Sequence, residues 1–191
     1  ILILIIEYVC LFGGTAKAEL STNLSVQIVY NKNNRKLVAS RTYVDEQGNP
    51  VIASDKGYAT IVYTYGTKNM VKKTEFLDEK GNPVNCLDGY CVTIFTHSGT
   101  KPTSTSYFDT EGKPAMGPEG YAVQEIKYNT KGKHVSTWEY DTEGKPVNLH
   151  HITEFMGGNM PNYVQSENWY DAENNPAAGP EGYARGEYAY N

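Results

Sequence analysis

The chain has few of the residues that most catalytic or nucleic-acid-binding domains depend on. Its 191 residues include four histidines, three cysteines and two tryptophans. No basic run occurs and the formal net charge is −5, which argues against a nucleic-acid binder, because such a protein needs a basic face. Serine and threonine are scattered, and neither Cys86 nor Cys91 has a histidine near it in sequence. We therefore predict no catalytic residues, no cofactor and no enzyme in this chain.

Helical periodicity is also missing. No segment repeats its apolar residues with a 3.6-residue period over ten residues, which argues against long helices. Hydrophobic residues make up only 39% of the chain, and the aromatic residues are dominated by 16 tyrosines. The 18 glycines and nine prolines fall mostly at fixed places and indicate frequent turns. The composition favours an all-β fold.

What the sequence does contain is one short turn, written five times and beginning with Asp at intervals of 33, 31, 32 and 30 residues. The Asp side chain can accept hydrogen bonds from N–H groups two or three residues on, which starts a type I turn. Gly three residues later supplies the left-handed conformation, and the last copy has Asn there, which tolerates positive φ. The predicted aspartate turns contain Asp45 and Gly48, Asp78 and Gly81, Asp109 and Gly112, Asp141 and Gly144, and Asp171 and Asn174.

Each aspartate turn belongs to a unit of about 32 residues. A second kind of turn, such as that at 129–132, precedes a strand that ends at the aspartate turn. A connector of five or six residues follows, and a Gly-Tyr-Ala or Gly-Tyr-Cys motif then opens the next strand. We predict an antiparallel β-hairpin repeat array of about five units, forming a twisted meander or a solenoid-like strip. One unit, at 147–159, lacks the Gly-Tyr-Ala motif.

The N-terminal segment differs from the rest of the chain. Residues 1–18 combine an apolar run with Ala16-Lys17-Ala18, which is typical of a signal peptide and its cleavage site. A membrane anchor and an ordinary buried segment are the alternatives. Residues 19–191 form the predicted repeat region, truncated at its C-terminal end because Tyr190-Asn191 resembles the start of another turn. We therefore expect a secreted or cell-surface protein that meets a membrane only through this segment, if it is uncleaved.

Removing the leader takes Cys10 and leaves two cysteines. Cys86 and Cys91 flank a four-residue loop, and an even count in an exported chain suggests a disulfide. Two unpaired thiols are the alternative, because Cys91 replaces the Ala of the other units. The sequence leaves both open.

Acidic neighbours in three aspartate turns raise the alternative of calcium loops. The place of the second carboxylate is held by Gln47 in the first copy and by Lys80 in the second, and a lysine opposes a cation. His150 and Glu154 could share a strand face, but a metal needs three or four converging ligands. We predict structural turns and no metal site.

Aromatic residues recur at two places in the unit. The Gly-Tyr-Ala tyrosines should form a cross-strand ladder that supplies the core of a thin sheet. The aromatics at the strand ends leave more room for a surface that stacks on a ligand. The predicted ligand-facing residues are Tyr107, Trp138 and Trp169.

Tyr128-Asn129-Thr130-Lys131-Gly132 and Tyr140-Asp141-Thr142-Glu143-Gly144 resemble the Tyr-Asp-x-x-Gly units of RHS/YD-repeat proteins. The resemblance covers about residues 29–191, although the period here is longer than that family's. It implies an exported bacterial β-hairpin array. We expect a cell-surface scaffold or binding module for a polysaccharide or a protein. The alternatives are a spacer stalk that presents a further C-terminal effector domain, and an enzyme whose catalytic domain lies beyond residue 191.

Overall fold

The computed structural model describes residues 24–156, 163–180 and 182–190. The predicted signal peptide or anchor at 1–18 lies outside these residues, as do Gly157-Gly158-Asn159 and Asn191. Within the described parts of the chain, no helix is both long and apolar enough to cross a membrane.

The described residues form a single sheet of eleven strands that lie side by side in chain order. Every neighbouring pair is antiparallel, so the prediction of an all-β hairpin meander is confirmed. The strands are β1 Ser25–Tyr30, β2 Val38–Val44, β3 Thr60–Tyr65, β4 Val71–Leu77, β5 Val92–Ser98, β6 Lys101–Phe108, β7 Val123–Tyr128, β8 His134–Tyr140, β9 Pro146–Phe155, β10 Val164–Tyr170 and β11 Arg185–Glu187.

Long and short pairings alternate across the sheet. The hairpin of β3 and β4 has paired residues from Thr60 and Leu77 to Tyr65 and Val71. Between one hairpin and the next the pairing is short, as in the three pairs that join β4 to β5. The aspartate turn and the connector occupy the end of the sheet where this short pairing stops. The aspartate turns and connectors together therefore line one end of the strands.

The aspartate turns share one hydrogen-bond pattern. In all five, the Asp Oδ1 accepts the N–H groups two and four residues on, at 2.8–3.0 Å. The glycines have φ between 78° and 84°, and Asn174 has φ of 64°. The Asp Oδ1 is therefore occupied by two backbone N–H groups. The second N–H group comes from the fourth residue after the Asp, not from the third.

The core of this sheet is thin. Only nine apolar side chains are buried among the described residues, and five of them are Ala or Cys. The large buried rings are Phe76, Tyr107 and Tyr121. Burial is therefore concentrated near the connector end of the strands, where the aromatic side chains meet.

Candidate functional site

The main candidate site is a continuous row of six aromatic rings, called here the aromatic ladder. It alternates strand-end rings with Gly-Tyr-Ala or Gly-Tyr-Cys tyrosines, which the sequence suggested as two separate sets. Tyr58 stacks on Phe76 with centroids 4.1 Å apart and planes 12° apart. The neighbouring contacts have centroid separations between 4.8 and 6.0 Å. In order, the ladder is Tyr43, Tyr58, Phe76, Tyr90, Tyr107 and Tyr121.

Three of the six rings of the ladder, Phe76, Tyr107 and Tyr121, are buried, and the other three are partly buried. Tyr107 is only 7% exposed and Tyr121 only 6% exposed. Burial raises the pKa of Tyr58 and of Tyr107 well above the usual range, and it raises that of Tyr90 to about 12. The prediction that Tyr107 faces a ligand is therefore wrong, because its ring is enclosed and its hydroxyl donates to Glu119 Oε2 at 3.1 Å.

The connectors lie close to the strand-end rings Tyr107 and Trp169, and the connector residue at each of these contacts is glycine. A Cβ atom built on Gly117 would lie 2.3 Å from the ring of Tyr107, and one on Gly179 would lie 2.5 Å from that of Trp169. In each regular unit a small residue stands ten positions after the ring. The four pairs are Tyr43 with Ala53, Phe76 with Cys86, Tyr107 with Gly117, and Trp169 with Gly179.

The two cysteines are free thiols and both are buried. The Cys86 N–H donates to the carbonyl of Tyr90 at 2.8 Å, which places Tyr90 rather than Cys91 opposite Cys86. Neighbouring residues of a strand point to opposite faces, and the Cys91 Sγ–H donates to the Phe76 carbonyl. The structure therefore contains no bond between them, and the disulfide alternative is not realised.

The irregular unit interrupts the ladder. Trp138 stands three residues before its Asp, whereas Tyr107 and Trp169 stand two before theirs. Glu139 therefore takes the ladder position, where its Oε1 accepts the Gln124 amide at 2.9 Å. Trp138 lies on the opposite face. The sequence-based grouping of Trp138 with the other strand-end rings is therefore wrong, because Trp138 is displaced by one residue from their position.

The same unit has lost its connector. Three residues separate Pro146 from His150, where eight separate Pro114 from Val123. His150 and Val123 hold equivalent places, since each pairs with the residue before an Asp. Strand β9 consequently starts directly at the aspartate turn, and its register with β8 shifts between Thr137 and Glu139.

Histidines and tryptophans meet in this unit. His150 stacks on Trp138 at 4.1 Å, and His151 stacks on Trp169 at 4.3 Å. His134 lies 6.2 Å from His151, centroid to centroid. His150 is fully buried, and neither of its ring nitrogens has a hydrogen-bond partner. Trp169 is partly buried, with the His151 ring stacked on it and Gly179 close to its indole. That Trp138 and Trp169 face a ligand stays a prediction.

A concavity of about 290 Å³ lies between the first two connectors. Partly buried Tyr58 and Tyr90 and exposed Leu87 line it, together with the carboxylates of Asp55 and Asp88. The two connectors also touch through a hydrogen bond from the Leu87 N–H to the Lys56 carbonyl, at 3.0 Å. Sequence reasoning missed this site, because it arises only where neighbouring units stack.

No group of three or more His, Cys, Asp or Glu side chains in the described ranges is arranged to hold a metal ion. Neither a scan against protein-family models nor a search of curated proteins finds a match to this chain. Function must therefore be argued from the site itself.

Proposed function

We propose that this region is a structural scaffold in an exported protein, a strip of stacked hairpins that spaces or presents other parts. The observation that carries the proposal is the burial of Phe76, Tyr107 and Tyr121 in the aromatic ladder, because exposed rings would favour ligand binding and buried rings favour a supporting role. The resemblance to RHS/YD-repeat proteins, which are exported bacterial arrays, supports the same function.

Contacts between successive units also support a scaffold. The Ile52 N–H donates to Glu79 Oε1 at 3.3 Å, and the Thr110 N–H donates to Asn85 Oδ1 at 3.0 Å. Each of these hydrogen bonds joins the connector of one unit to the aspartate turn of the next unit. Hydrogen bonds of this kind, together with the aromatic ladder, fix the position of each unit relative to the next one.

The test of export is protease accessibility in the native host. An antibody raised against residues 24–156 would follow the protein in intact cells and in the medium. We expect the protein in the medium, or on intact cells and removable by added protease. Protein that is protected until the cells are lysed and that fractionates with the cytosol would contradict the proposal.

A second candidate function is binding of a saccharide at the concavity between the first two connectors. Tyrosine rings offer faces on which sugars stack, and carboxylates accept hydrogen bonds from sugar hydroxyls. The volume is near the lower end of the usual range for ligand pockets, which suits one or two sugar rings. Binding of short oligosaccharides, measured by calorimetry, should weaken at least tenfold in Asp88→Ala and remain in Asp171→Ala. Equal binding by both variants would contradict this site.

A further inference from the structure

Three of the four histidines of the chain and both of its tryptophans lie on three neighbouring strands, in two stacked groups. Trp138 and His150 form one group, and His134, His151 and Trp169 form the other on the opposite face of the sheet. We call the two groups together the histidine joint and define it as His134, Trp138, His150, His151 and Trp169. It joins β8, β9 and β10, where the aromatic ladder is interrupted. We propose that the histidine joint is an acid-sensitive hinge, which opens as the pH falls below neutrality while the aromatic ladder stays closed.

The first reason is the place of His150. Its ring is fully buried against Trp138 and both ring nitrogens lack a partner, so a proton there would create a buried cation without a hydrogen bond. Burial lowers the pKa of His150, and the charges of Glu139 and Asp171 oppose this only in part. Asp171 makes no hydrogen bond to His150; its Oδ1 accepts two turn N–H groups and its Oδ2 accepts the Asn175 amide at 3.4 Å.

The second reason is the pair formed by His134 and His151. Their rings lie 6.2 Å apart, and burial together with the neighbouring His151 lowers the pKa of His134. Protonation of both rings would place two cations side by side. Tyr128, Thr137 and Thr153 lie beside this pair of rings. Two charged groups are also near: the Lys101 Nζ lies 5.0 Å from the Tyr128 ring, and the Glu167 Oε1 lies 3.7 Å from His151 Nε2. The other Glu167 oxygen, Oε2, accepts the Tyr188 hydroxyl.

The charges around the pair do not balance two added protons. Among the described residues, the carboxylate in contact with His151 is that of Glu167, and Lys101 adds a positive charge on the Tyr128 side. A histidine whose folded pKa is lowered binds protons more readily when the structure opens. The joint is therefore most stable above about pH 6.5 and loses stability as the pH falls through the folded pKa values.

The aromatic ladder should not respond in this range. Tyr58, Tyr90, Tyr107 and Tyr121 have raised pKa values. The turn aspartates Asp45, Asp78 and Asp171 have lowered ones. The fourth histidine, His97, lies in β5 and makes no ring contact with the joint. Opening confined to the joint would turn a continuous strip into two parts. This inference stands whether or not the strip also binds a ligand.

The two tryptophans make the test direct, because both lie in the joint. Tryptophan emission and its quenching by acrylamide would be recorded on the full chain from pH 8 to pH 4.5, with near-ultraviolet circular dichroism to follow the tyrosines. We expect the acrylamide quenching constant to rise at least twofold with a midpoint below about pH 6.5, while the tyrosine signal remains. Quenching that is unchanged between pH 8 and pH 5 would overturn the proposal, and so would simultaneous loss of both signals.

The other units show which residues can replace the histidines of the joint. His134→Val and His150→Val together install the residues found at the equivalent places Val164 and Val123, and His97→Gln is the control. The double variant should lose the transition and the control should keep it. A transition that persists in the double variant would contradict the assignment. If the double variant does not fold at pH 8, nuclear magnetic resonance titration of the unmodified chain decides: His134 and His150 must titrate below about pH 6.5, together with a shift of the indole N–H signals.

Discussion

At the scale of single residues, the turn explains why Asp recurs so regularly. One carboxylate oxygen accepts two backbone N–H groups in every copy, which no apolar side chain could do. The second kind of turn uses the same geometry with Asn129, whose Oδ1 accepts the N–H groups of Lys131 and Lys133. The residue type is therefore set by hydrogen bonding, and charge is not required.

The pH dependence of the aspartate turns can be tested with Asp78→Asn. The pKa of Asp78 is lowered, chiefly by the N–H of Asn82, so its share of stability is present above about pH 3.9 and is lost as the pH falls through the folded pKa. Since Asn129 forms an equivalent turn, the variant should keep its urea midpoint at pH 7 and lose less stability than the parent between pH 5 and pH 2.5.

The control for this experiment is Asp88→Asn, an exposed aspartate in a connector, which should follow the parent at every pH. If Asp78→Asn lost stability at neutral pH, the turn would depend on charge. If its acid curve matched that of the parent, the carboxylate would not be the titrating group.

A second prediction at this scale concerns the contact between ring and connector. A methyl group on Gly117 would lie 2.3 Å from the Tyr107 ring, so Gly117→Ala should lower the free energy of unfolding by about 1–3 kcal/mol. The cost should shrink when Tyr107→Leu removes the ring, which a double-mutant cycle in urea would measure. Gly66→Ala is the control, because its Cβ would meet only ordinary contacts. Additive costs would show that the contact does not set the residue size.

At the scale of elements, the hairpins could be predicted because each turn carries its own local chemistry. The alternation of long and short pairing could not, because it depends on how the connector folds back over the strand. The contact between a strand-end ring and its connector could have been predicted from the sequence, because a small residue stands ten positions after the ring in each regular unit. This spacing pairs Phe76 with Cys86, and the free thiol at that position is consistent with packing against a ring.

The irregular unit shows where pattern reasoning failed. Trp138 looks like a strand-end aromatic, but a shift of one residue moves a side chain to the other face of a sheet. Likewise, the loss of the connector brings His150 to the strand position that Val92 and Val123 hold in other units. His150 is fully buried there, whereas the two valines are only partly buried. Burial of a histidine depends on contacts from two other strands, so the sequence of β9 alone could not reveal it.

At the scale of the whole molecule, a sheet with few buried apolar residues needs another source of stability. The ladder provides it, since each ring contacts the ring before and after it, and aromatic pairs contribute beyond their buried area. Connectors cover the rings from the side, and hydrogen bonds between units hold the connectors in register. Tyr107, which the sequence suggested as a ligand-facing ring, therefore belongs to the core of the strip.

The most direct test of this claim is the stability of Tyr107→Ala against that of Tyr30→Ala, measured by urea unfolding. Tyr107 is 7% exposed and lies between Tyr90 and Tyr121 in the ladder, and Tyr30 is 51% exposed on the edge strand β1. We expect Tyr107→Ala to cost roughly 3–5 kcal/mol or to prevent folding, and Tyr30→Ala to stay within about 0.5 kcal/mol of the parent. A Tyr107→Ala protein that folds with the stability of the parent would contradict the account.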